Sequence, residues 1–121
     1  MLRKTLNNGV EMPMLGYGVF QTPPEETERC VTEALDVGYR LIDTAQAYDN
    51  EEDVGAAVRA SGIPREEVFI TSKIWVANMN YERAAASIDE SLRKLDTDYI
   101  DLMLLHQAMG DYPGAYRAME D

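Results

Sequence analysis

The chain has 121 residues, 45% hydrophobic and 27% charged, the balance of an ordinary folded domain and not of a disordered tail. Its 11 basic side chains face 22 acidic ones, and the net charge of −11 disfavours nucleic acid and anionic membrane surfaces as partners. No apolar run approaches the roughly 18 residues of a membrane span. Cys30 and His106 are the only residues of their types, which argues against an internal disulfide and a Cys/His zinc site. The opening Met1-Leu2-Arg3-Lys4-Thr5 runs straight into Asn7-Asn8-Gly9, so no secretory leader is expected. One free thiol fits a reducing, cytoplasmic setting.

Asn8-Gly9 predicts a β-hairpin with a two-residue type I′ turn, closed by Pro13. Met14 to Phe20 reads as a strand whose glycines admit a close approach. Thr22-Pro23-Pro24-Glu25 predicts a helix start with a Thr22 cap and Glu25 completing a capping box. Val31, Ala34 and Leu35 form that helix's apolar face, and Gly38 stops it. Tyr39 to Asp43 is the next strand. A helix from about Asn50 to Ser61 follows, with Asn50 as cap and Glu51, Glu52 and Asp53 at its positive end. Val68 to Trp75 is a strand, and Asn80 to Leu95 a helix with Ile88, Leu92 and Leu95 on one face. Tyr99 to His106 is a strand, and a last helix begins near Pro113.

Strand and helix alternate at an even interval, which predicts βαβ units and a parallel sheet. The later strands are apolar throughout, as expected when both faces are covered. A doubly wound open sheet and a closed barrel of eight units both fit. A barrel needs about 250 residues, so on that reading the chain is half a barrel: a hairpin plus about four units. No linker or low-complexity segment interrupts it, so residues 1–121 are expected to form one unit without an internal boundary.

Parallel α/β folds collect functional groups at the C-terminal ends of their strands. Asp43, Tyr48, Lys73 and His106 all fall there. Singly, each has an ordinary structural role: a solvated carboxylate, a loop aromatic, a snorkelling lysine, a hydrogen-bonded histidine. Together they suit protonation of an oxygen that turns negative in the transition state. An ammonium beside a phenol favours the phenolate, a carboxylate holds the ammonium, and an imidazole orients the oxygen. Hydride reduction of a carbonyl creates such an alkoxide. No side chain delivers hydride, so this chemistry calls for a nicotinamide cofactor.

Gly38-Tyr39-Arg40-Leu41-Ile42-Asp43-Thr44-Ala45-Gln46-Ala47-Tyr48-Asp49-Asn50-Glu51 resembles the first signature of the aldo-keto reductases. Met12 to Gly18, Ile70 to Trp75, and Asp98 to Leu102 leading to His106 agree in order and spacing. The resemblance spans essentially the whole chain and is nearest the bacterial diketogluconate and methylglyoxal reductases. It implies a (β/α)8 barrel of TIM type, of which these residues are the N-terminal half, and NADPH-dependent reduction of aldehydes and ketones. By the same resemblance Tyr48 is the general acid, Lys73 and Asp43 tune it, and His106 orients the carbonyl. Phe20, Ala47, Trp75 and Gln107 line the substrate pocket, with ordinary packing the other reading of Trp75. Gly18, Val19 and Asp43 lie near the cofactor, and no metal is implied. Ala108 stands where many relatives carry proline, and Asp49 where glycine or glutamine is more usual.

The later strands, and the loops that hold the nicotinamide amide and the adenosine phosphate, have no counterpart here. Three functional readings follow. The chain is an inactive half of a reductase, or two copies pair through exposed sheet edges into a full barrel, or it is a non-catalytic interaction module. A Schiff-base enzyme using Lys73 is a weaker fourth.

Overall fold

A computed structural model describes residues 1–121. The hairpin joins β1 (Arg3–Thr5) to β2 (Glu11–Pro13), antiparallel, with Lys4 opposite Met12. Its turn differs from the expected type I′. Gly9 alone takes a left-handed φ, +86°, while its N–H donates to the Leu6 carbonyl at 3.0 Å. The loop is therefore three residues, a turn followed by one left-handed glycine, and Asn8 Oδ1 accepts from the Val10 N–H.

Four strands form a parallel sheet in strict chain order: β3 (Tyr17–Gly18), β4 (Leu41–Asp43), β5 (Phe69–Ile74) and β6 (Leu102–Leu105). The helices α1 (Pro24–Asp36), α2 (Glu51–Ala60), α3 (Tyr81–Leu95) and α4 (Tyr112–Glu120) alternate with them. The first strand is shorter than its apolar run predicts, because only Tyr17 and Gly18 pair with β4.

Helix α1 lacks the expected capping box. Pro23 is its cap residue and offers no side-chain bond, and the Thr22 carbonyl instead accepts from Thr27 Oγ1 at 3.2 Å. Its other end matches expectation. Gly38 has φ +108°, its N–H reaches the Leu35 carbonyl and the Tyr39 N–H the Ala34 carbonyl, a Schellman closure. Asn80 caps α3 by accepting from the Arg83 N–H at 2.8 Å, and Asp111 caps α4 by accepting from Gly114.

Alternation along the strands decides which face meets the helices. Ile42 and Ile70 join Val19, Val31, Leu35, Val54, Ala57, Val58, Val68 and Leu95 in the main core. A second core places Ile74, Met79, Ala84 and Ala115 against Met103 and Leu105. The opposite face carries Leu41, Asp43, Phe69, Thr71, Lys73, Leu102 and Leu104, the interior of a barrel. Phe69 is buried where the hairpin lies near it, but Leu104 on β6 is 39% exposed. The expectation of strands covered on both faces thus holds for β5 and fails at the sheet edge. The fold is a half-barrel of the (β/α)8 type, a hairpin followed by four βα units in chain order.

Candidate active site

Register brings the strand-end residues together. Asp43 pairs with Thr71 across β4 and β5, and Lys73 stands two residues further up the same face. The lysine reaches back to place Nζ 2.7 Å from Asp43 Oδ2, and also donates to the Thr44 carbonyl at 2.9 Å. Lys73 pairs with Leu104, and His106 is again two residues further along that face. The three side chains therefore climb one wall in a staircase set by sheet register.

Tyr48 comes from a 3₁₀ turn, Gln46–Tyr48, after β4. The turn closes on Asp49, which holds a left-handed φ of +56°; an aspartate tolerates this where most residues do not. Lys73 Nζ lies over the Tyr48 ring, 5.0 Å from its centroid. Tyr48 also contacts Phe20 (ring centroids 5.2 Å apart) and the His106 edge (5.7 Å), and His106 meets Trp75 edge-on at 5.3 Å. Phe20, Tyr48, His106 and Trp75 thus form an aromatic row above the Asp43–Lys73 pair. His106 is fixed through its backbone N–H on the Ile74 carbonyl, while its Nδ1 is sealed from solvent without a partner.

Ala47 and Gln107 are exposed beside Tyr48 and His106 and join no contact in the row. Gly18 is exposed at the end of β3, opposite Asp43, with open space where a Cβ would stand. Val19 is fully buried in the core; its N–H donates to the Asp43 carbonyl and its carbonyl accepts from Asn50 Nδ2. The site is an open wall and not an enclosed cavity. The largest concavity, about 640 Å³, lies elsewhere, between Val58, Arg59, Leu92 and Asp96 on α2 and α3.

Three polar residues, Asn50 and Glu51 buried and Gln46 half-buried, brace this wall from behind, and their tertiary partners were not legible in sequence. Asn50 has no capping bond to α2. It is 1% exposed, accepts from Thr44 Oγ1 at 2.7 Å, and donates to the carbonyls of Val19 and Thr22. Glu51 is buried and accepts from Ser72 Oγ at 2.8 Å; burial pushes its carboxyl upward, against the lowering effect of that hydroxyl. Gln46 Oε1 accepts from the Trp75 N–H and Asn78 Nδ2, while Nε2 donates to the Ser87 carbonyl and Ser91 Oγ. The signal available in sequence was polar residues of hydrogen-bonding type beside Tyr48, which an N-cap and helix-dipole reading absorbed.

Comparison with known proteins decides the family. The model of the "Aldo/keto reductase family" matches residues 13–121. The chain belongs to the aldo/keto reductase family. It is 50% identical over 107 residues to morphine 6-dehydrogenase of Pseudomonas putida, covering 88% of this chain and 36% of that protein. With glyoxal reductase of Bacillus subtilis (strain 168) the identity is 47% over 117 residues, covering 95% and 42%. The solved aldo/keto reductase of Brucella melitensis superposes with a TM-score of 0.95 at 44% identity, covering 98% of this chain and 48% of that one. The chain thus spans less than half the length of these relatives. No helix is long and apolar enough to cross a membrane.

Proposed function

We propose that residues 1–121 supply, as one unit, the proton-delivering wall of an NADPH-dependent reductase of small aldehydes and ketones, working in the cytoplasm. The observation that carries this reading is the stacked contact of Asp43, Lys73, Tyr48 and His106. Tyr48 Oη holds the proton and delivers it to the carbonyl oxygen. The Lys73 ammonium stabilises negative charge on the phenol oxygen, and Asp43 keeps Lys73 in place. His106 orients the carbonyl through Nε2, because its sealed Nδ1 cannot reach a substrate. Phe20, Ala47, Trp75 and Gln107 border the approach. Kinship with a glyoxal reductase supports short dicarbonyls as substrates, in the diketogluconate and methylglyoxal branch.

The residues present fit the nicotinamide end of NADPH. Gly18 leaves a flat approach beside Asp43, and Val19 backs it from the core. When bound, the cofactor supplies the hydride and its two electrons. The phosphate end finds less: Lys73 is engaged by Asp43, while Arg29, Arg59, Arg65 and Arg93 pair with carboxylates away from this wall.

The test is an NADPH titration of the 121-residue chain read by Trp75 fluorescence, then fusion to the remaining barrel strands of the Bacillus relative. The chain alone is expected to show no saturable binding, and the fusion to reduce glyoxal. Tyr48→Phe in the fusion should lower kcat by about 10²-fold or more, the range of one lost general acid. A fusion that binds NADPH and loses no turnover on the Tyr48→Phe change defeats the assignment. A second reading, pairing of two copies through sheet edges, draws on the exposed Leu104 of β6 and is opposed by a charge of −11 on each copy. Micromolar NADPH binding by the chain alone would favour it. A non-catalytic module would leave the fusion inactive. A Schiff base on Lys73 would leave a borohydride-trapped adduct.

A further inference from the structure

We propose that Gln46 is a positioning residue that fixes Trp75 against the tyrosine turn, and so sets the width of the carbonyl approach. The inference rests on the carbonyl-reducing reading above for its substrate, and on geometry for everything else. Gln46 begins the 3₁₀ turn that ends at Tyr48, so its backbone moves with the phenol. Its side chain reaches the segment that follows β5 and the middle of α3. Oε1 accepts from the Trp75 N–H at 2.9 Å and from Asn78 Nδ2 at 3.0 Å. Nε2 donates to the Ser87 carbonyl at 3.2 Å and to Ser91 Oγ at 3.3 Å. Two acceptor positions and two donor protons are all used, which leaves the amide one orientation.

That arrangement links three elements which sequence separates by some 30 to 45 positions. It ties the tyrosine turn to the segment Trp75–Asn78 that follows β5, and both to the middle of α3. The indole so held packs edge-on against His106, which packs edge-on against Tyr48. A displacement of Trp75 therefore changes the opening between indole and phenol, where a carbonyl substituent must pass. A shorter or apolar side chain at position 46 releases Trp75 while leaving the Asp43–Lys73 pair untouched.

Trp75 is the single tryptophan, so its emission reports this bond without any turnover. In the 121-residue chain, the Trp75 amide is expected to be protected from hydrogen exchange, since its acceptor is the Gln46 side chain. In Gln46→Met, of similar length without hydrogen bonds, that protection should fall about fivefold to tenfold, the equivalent of one net hydrogen bond. Emission should shift to the red and acrylamide quenching should rise. An unprotected Trp75 amide in the unmodified chain overturns the proposal even if the variant does not fold, as does unchanged quenching in a folded variant. In the fused barrel, Gln46→Met should raise KM for an aromatic aldehyde more than for glyoxal, with the effect larger on KM than on kcat. A loss confined to kcat overturns the specificity role. A fused barrel with no turnover when Gln46 is intact counts against the carbonyl-reducing reading alone, and the Trp75 amide still decides the position of Gln46.

Discussion

Gly55→Ala sets two ordinary rules against each other. Gly55 lies inside α2, where alanine is normally better by about 1 kcal/mol. A Cβ there would stand 2.7 Å from the carbonyl carbon of Leu95 and 2.8 Å from its Cα, with the Leu95 oxygen nearer still. These are backbone atoms at the end of α3, so no rotamer change relieves the overlap. Recovering an ordinary contact of about 3.4 Å from the nearest of these atoms, the oxygen, requires the two helices to part by about 1 Å. Leu95 is 2% exposed in the main core, and its carbonyl also accepts from Arg59 Nη1 at 3.3 Å. Separation therefore loosens core packing and a hydrogen bond together. Overpacking costs about 1–3 kcal/mol, with backbone on one side pushing the figure to the upper end. After the gain in helix propensity, the net loss is about 2 kcal/mol. Urea unfolding of the variant should show a lower midpoint at an unchanged slope. A variant as stable as the parent, or more so, refutes the claim that close backbone approach selects glycine here.

Three further outcomes follow from the buried polar groups. Burial raises the pKa of Glu51 in the folded chain above its value in the unfolded one, so the native state holds this proton more tightly. Stability from this group is complete below the unfolded value and is lost as pH rises through the folded one. Glu51→Gln, which keeps an acceptor for Ser72, should therefore be more stable than the parent at pH 7, with the gain vanishing by about pH 4; a less stable variant at pH 7 contradicts this. Asn50→Ala strands Thr44 Oγ1 and the carbonyls of Val19 and Thr22, and should lose about 2–4 kcal/mol in urea unfolding. A loss below about 0.5 kcal/mol, the ordinary surface range, would mean those bonds are idle. Asp101→Ala removes the partner of Arg65 and the acceptor for the Ile70 N–H, with the two side chains only 21% and 16% exposed. It should lose about 2–3 kcal/mol, little changed by salt, because the pair is largely desolvated.

The order of strands and helices was legible because each carries its own period and stop signal. Gly38 and Asn80 do what their types suggest, since their partners lie within a few residues. Thr22 does not, because the helix begins one residue later with Pro23 in the cap position, and Asn50 does not, because tertiary partners take its side chain. Asn50 satisfies a threonine six residues away and a carbonyl 31 residues away, which no local rule can see. The four strand-end residues could be named as a group because register in a parallel sheet aligns equivalent strand ends. The braces Gln46 and Glu51 could not, since their meaning comes from α3 and from Ser72. The failure at β6 has the same origin. Leu104 looks like a covered strand residue, and its exposure depends on what lies beside the sheet.

The sheet order also bears on how the molecule comes into being. Every strand of the parallel sheet pairs with the strand immediately before it in the chain, and no later strand inserts between two earlier ones. Each new strand therefore finds its template already laid down as the polypeptide emerges, and needs to close only one βα loop. Such a chain can grow its sheet during synthesis, one unit at a time, and loop-closure entropy rises little with each addition. The wall that holds Asp43, Lys73 and His106 is then assembled in that order, from the first exposed edge to the last.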